Sequence, residues 1–142
     1  MLLGFENAAL ADALKDQSAA KRFFKALLGV LDSPAVTEDV YQAYIDSVLG
    51  LPQEEGKSKV ALWPIVTLLP FIAQPEKHMF LKPRSIQSAA EALNFDLHYE
   101  ALPNWRTYKA LLEMGKVCFY EVRHLKPKDF IDVQSFIWLA GH

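Results

Sequence analysis

Apolar residues recur at intervals of three and four over much of the chain. Phe23, Phe24, Leu27, Leu28 and Leu31 do so first, which predicts one broad face of a helix capped by Ser18 and broken at Ser33-Pro34. Upstream, Asn7 predicts the cap of a short helix, AALADALKD. Thr37 then predicts the cap of EDVYQAYIDSVL, where Val40, Tyr41, Tyr44 and Val48 share a face and Gly50 closes the element. In ALWPIVTLLPFIAQP, Pro64 suits a first helical turn, whereas Pro70 predicts an end or a kink. That run reads as a buried, broken helical hairpin or helix pair. A core strand is disfavoured by Pro70. Pro83 opens RSIQSAAEAL, Asn94 closes it, and Asp96 to Pro103 reads as extended. Asn104 predicts the cap of the longest helix, Trp105 to about His124, with Tyr108, Leu111, Leu112, Gly115, Cys118, Phe119, Val122 and Leu125 in its apolar stripe. Gly115 within that stripe predicts the close approach of another helix. Pro127 then opens a final helix, KDFIDVQSFIWLA, closed by Gly141.

These elements predict an all-α fold: a compact single-domain array of about six to seven helices of unequal length, two of them broken by prolines. At 142 residues with 51% hydrophobic and 12% aromatic content, the chain can bury a core of one domain. The polar stretch Leu51 to Lys59, LPQEEGKSK, predicts an exposed connection and a hinge within residues 1–142.

Charge adds an asymmetry. Residues 1–56 hold four Lys/Arg against nine Asp/Glu, and residues 57–142 hold eleven against eight. The basic half could face an anion, although solvated helix faces produce the same count. The single cysteine, Cys118, has no internal disulfide partner, which fits a reducing compartment. The first residues, MLLGFENAALAD, do not read as a secretion signal, and the apolar run Val60 to Ala73 is too short to span a bilayer. Six glycines build neither GxGxxG nor a P-loop. HExxH, GxSxG and zinc-type cysteine pairs are absent, and the four histidines are scattered.

Several polar residues stand out against this background. Lys82 and Lys126 each precede a proline at an expected helix start, where the helix dipole disfavours a cation. Asp129 and Asp132 follow Lys126 and offset it locally, whereas no acid follows Lys82 until Glu91, two turns away. Asp132 and Gln134 interrupt an otherwise apolar helix, so a buried carboxylate at Asp132 would need partners. A contact between Lys82 and Asp132 would explain both charges, with His78, Asn104 and Gln134 nearby. The ordinary readings are a solvated Lys82, dipole-stabilising aspartates and an exposed, inert loop histidine. Trp63, Trp105 and Trp138 read as core, and Cys118 as a small hydrophobe.

Trp63-Pro64, the HMFLKP run, Asn104-Trp105 with Tyr108, and IDVQSFIW resemble an uncharacterised bacterial protein family carrying a Trp-Pro segment, an HMFLKP-like loop, a PNWxxY helix start and a terminal IDVQSFIW. The resemblance covers residues 63–138 and implies a cytoplasmic protein, with weight on His78, Lys82, Asn104, Trp105, Asp132 and Gln134. Those six form the expected ligand-binding set. No catalytic residue, metal site or cofactor is assigned. The expected function is a helical binding or interaction domain acting on a protein partner or a small anion near Lys82. Alternatives are nucleic-acid binding by the basic half and an enzyme with a dispersed Lys/His/Asp site. No membrane partner is expected.

Overall fold

The computed structural model of the chain describes residues 4–52 and 62–140. Seven α-helices follow in order: α1 (Gly4–Ala13), α2 (Gln17–Asp32), α3 (Glu38–Leu49), α4 (Trp63–Ala73), α5 (Pro83–Ala92), α6 (Trp105–Glu121) and α7 (Phe130–Ala140), with a 3₁₀ turn at Arg123–Leu125. No strand occurs among the described residues. The all-α expectation holds.

Local chemistry accounts for most boundaries. Asp16, not Ser18, caps α2, its Oδ1 accepting from the Ala19 N–H at 2.9 Å. The first helix begins at Gly4 rather than after Asn7. The end of α5 is a Schellman motif: Asn94 adopts φ 52°, Phe95 N–H bonds Ala90 C=O, and Asn94 N–H bonds Glu91 C=O. Asn104 caps α6 by accepting from Thr107 N–H at 2.9 Å. The two Lys-Pro pairs differ. Lys82 is the N-cap of α5 with Pro83 at N1. Lys126 takes a left-handed conformation (φ 54°), and α7 starts only at Phe130, after Asp129.

Pro70 neither ends nor splits α4, which is one continuous helix. Proline lacks the N–H that would bond the Val66 carbonyl. The buried Tyr44 hydroxyl donates to that carbonyl instead, at 2.9 Å. A tertiary contact thus restores the satisfaction that the sequence alone removes.

The helices surround one core. Phe23, Leu27 and Val30 of α2 pack with Tyr41, Tyr44, Ile45 and Val48 of α3, Trp63, Ile65 and Val66 of α4, and Tyr108 and Leu111 of α6. Tyr41 and Tyr108 stack with centroids 3.9 Å apart and planes 5° off parallel. Phe24 and Leu28, expected on the same face as Phe23, are instead substantially exposed. Leu51 belongs to the core, and most of the expected connection, from residue 53 onward, lies outside the described residues, as does Gly141.

Candidate functional site

The segment between α4 and α5 runs through the protein as a strap. His78, Met79, Phe80 and Leu81 are all buried. Several of its polar groups are anchored to neighbouring elements. Leu81 N–H donates to Thr67 Oγ1 on α4 at 2.9 Å, and that hydroxyl donates to Trp63 C=O at 2.7 Å. On the α6 side, His78 Nδ1 meets the Tyr108 hydroxyl at 2.7 Å. At the other end, Phe130 N–H of α7 donates to Pro75 C=O at 2.9 Å. Gly115 makes the crossing feasible: a Cβ there would meet Met79 Sδ at 3.0 Å and Phe130 Cε1 at 3.3 Å. The close approach expected at Gly115 is therefore made by the strap and by α7 together.

His78 is fully buried, contrary to the ordinary reading of a loop histidine. Its Nδ1 lies 2.7 Å from the Tyr108 hydroxyl, and its ring stacks on Tyr41 at 6.0 Å. In this contact the hydroxyl either donates to Nδ1 or accepts from it, according to the imidazole tautomer. Nε2 is buried with no partner. Burial, with a smaller push from the Lys77 ammonium, lowers the imidazole to about 4. The Tyr41 hydroxyl lies near enough to Tyr108 to influence it but meets no partner at hydrogen-bonding geometry. Burial raises both tyrosines far above the usual phenol range. These groups form a neutral aromatic centre that does not titrate near pH 7.

The six residues expected in one site occupy four places. Trp105 joins His78 through the aromatic centre, its indole 6.0 Å from the Tyr41 ring and its backbone N–H donating to Gln42 Oε1 at 3.2 Å. Asn104 is consumed as the α6 cap, its Nδ2 donating to Leu102 C=O at 3.0 Å and Thr107 Oγ1 at 3.2 Å. Asp132 serves the start of α7: its Oδ2 accepts from Lys128 N–H at 2.7 Å, while Asp129 Oδ1 accepts from Ile131 N–H at 2.9 Å. These contacts explain both aspartates locally. Lys82 is exposed and makes no ion pair with a described residue, so the expected Lys82–Asp132 contact is absent.

Lys82 and Gln134 are brought together, in a groove of about 550 Å³ between α4, the start of α5 and α7. Phe71 and Phe80 are its buried apolar residues, and Ile72, Ile131, Trp138 and Leu139 are its exposed ones. Ser85, Gln134 and Ser135 contribute polar atoms, and Lys82 is the only charged residue among the described residues of the lining. Gln134 Oε1 is buried without a partner. The first turn of α5 carries no acid, and no side chain caps it, so its partial positive charge adds to that of Lys82.

Sequence reasoning missed the apolar part of this lining. The signal was present in α7, whose apolar residues cover the whole circumference. That pattern reads as burial, yet Ile131, Trp138 and Leu139 are 46%, 55% and 67% exposed.

No family model, no curated protein and no solved structure matches this chain. The resemblance in the Trp-Pro, HMFLKP, PNWxxY and IDVQSFIW segments therefore rests on those residues alone. No helix among the described residues is long and apolar enough to cross a membrane, and none of their His, Cys, Asp and Glu side chains form a group of three suited to a metal.

Proposed function

We propose that this domain is a non-catalytic interaction module that binds through the α4–α5–α7 groove, with Lys82 selecting an anionic occupant. The observation that carries this reading is the mismatch on α7. Its composition is that of a helix covered on all sides, and among the described residues the buried side is that of Phe130, Val133 and Ile137. The apolar face left over borders a groove of a volume common for binding sites. Contiguous apolar surface of this kind marks interaction sites. One lysine and no acid among the described lining residues favour a partner that is apolar and negatively charged.

The test uses 8-anilinonaphthalene-1-sulfonate, an aromatic anion whose emission rises in apolar sites. Lys82→Glu should weaken its binding about tenfold, as expected for reversing one partly exposed charge. Leu139→Glu should weaken it similarly. Leu28→Glu, on the exposed face of α2 away from the groove, should leave it unchanged. Near-ultraviolet dichroism confirms that each variant keeps its native packing. Folded variants at Lys82 and Leu139 that bind the dye as wild type does would overturn the assignment.

A further inference from the structure

We infer that the occupant of the groove is an amphipathic helix of a partner protein, laid along α7 with a carboxylate facing Lys82; this rests on the groove being the binding surface. Ile131, Ser135, Trp138 and Leu139 fall at i, i+4, i+7 and i+8 and form one ridge on the outer face of α7. From Ile131 to Leu139 the ridge runs about 12 Å at the rise of an α-helix. That length matches the anchor spacing of a helix docked in a groove, where residues at i, i+3 or i+4, and i+7 insert.

The middle of the ridge suits close approach. Ser135 is the smallest side chain on it, and its hydroxyl already donates to Ile131 C=O at 2.9 Å. It therefore leaves no donor to be stranded when a second backbone covers it. Ile72 at the end of α4 lines the same groove, so α4 and α7 supply its two sides, with Phe71 and Phe80 buried between them. Ridge-and-trough surfaces of this kind are complementary to another helix.

Charge then separates a foreign partner from a second copy of this chain. In a two-fold dimer the same patch meets itself. Among the described residues, each groove would present Lys82 and no acid to its counterpart, Asp132 lying on the far side of Ser135 and Leu139, which leaves the two ammonium groups unmatched within the groove. A partner helix carrying Asp or Glu at the Lys82 end resolves this, and it also completes an α5 first turn that has no acid of its own.

The probes are two fluorescein-labelled designed peptides of about 18 residues, long enough for helix to form on docking. Both carry leucines at helical spacing. One is flanked by glutamates and the other by lysines. Anisotropy should show the glutamate peptide binding at least tenfold more tightly, Lys82→Glu should reverse the order, and the bound peptide should gain helical dichroism. Failure of both peptides, with the naphthalenesulfonate still mapped to the groove, would show that the groove takes small anions and would overturn the inference alone. Equal binding of the two peptides, or an order unaffected by Lys82→Glu, would also overturn it. Sedimentation of a dimer that excludes the peptides would assign the groove to a second copy and overturn it too. Loss of the dye site from the groove would instead remove the reading on which the inference stands.

Discussion

His78 holds a neutral imidazole where no water reaches it, and that state couples stability to pH. The unfolded chain binds a proton at His78 near its ordinary 6.5, whereas the folded chain resists it down to about 4. Above pH 6.5 neither state is protonated, so His78 has no pH-dependent effect there. As pH falls below 6.5 the unfolded state gains a proton that the folded state cannot hold, and stability declines until pH nears 4. The loss should reach about 2 kcal/mol by pH 5, at about 1.4 kcal/mol per pH unit. Urea midpoints at pH 7 and pH 5 check this, with His78→Gln as the control that narrows the difference. An undiminished difference in the variant would assign the effect to other groups. Lys82 and Asp132 make a second residue-scale prediction. Because Asp132 serves Lys128 N–H rather than Lys82, Asp132→Ala should cost about 1 kcal/mol. A double-mutant cycle with Lys82→Ala should show coupling below about 0.5 kcal/mol. Strong coupling would restore the pair that the sequence suggests and the structure does not form.

The helix α4 shows how an element survives a residue that should break it. Pro70 strands the Val66 carbonyl, and Tyr44, a turn into the core face of α3, supplies the missing proton. Tyr44→Phe should therefore cost about 1–3 kcal/mol, the penalty for a buried acceptor without a partner. In a Pro70→Ala background the new Ala N–H can bond Val66 itself, so the same Tyr44→Phe change should cost less. Equal costs in the two backgrounds would show that the hydroxyl is not the substitute. The strap depends on α4 in the same way. Thr67 is placed on the helix face that meets Leu81, and its hydroxyl both accepts from the strap and donates to its own helix. Thr67→Val keeps the shape but leaves the buried Leu81 N–H unbonded, which should destabilise the fold by about 1–3 kcal/mol.

Across the whole molecule, the strap ties several helices of the one core to each other. It is held by hydrogen bonds to α4, α6 and α7. A loop is usually a surface feature with low local stability. This one, buried over His78 to Leu81, should open only with the global fold. Native-state hydrogen exchange should give Leu81 an opening free energy equal to that of core amides such as those of α3. Exchange by a much cheaper local opening would mean that the strap moves independently of the core. The groove depends on this rigidity, because the strap sets Phe80 and Lys82 against α7.

Much of the fold was legible from local rules. Helical spacing in α2, α3 and α6, Asn104 as a cap, Asn94 as a left-handed stop and Pro83 at a first turn are consequences of neighbours three or four residues apart, so the chain alone determines them. Lys82 as a cation at a helix start with no acid in its first turn is also a property of the local sequence, whereas its exposure is not. What the tertiary structure decided concerns satisfaction and cover between distant segments. Whether Pro70 breaks α4 depends on a hydroxyl 26 positions earlier in the chain, at Tyr44, bonding Val66. Whether His78 is solvated depends on Tyr108, 30 residues away. Whether Phe24, Ile131, Trp138 and Leu139 are core or surface depends on which helices cover them, because apolar periodicity identifies a face without identifying what packs on it. The groove beside Lys82 is therefore a product of packing: a helix apolar around most of its circumference, of which the described residues bury one side.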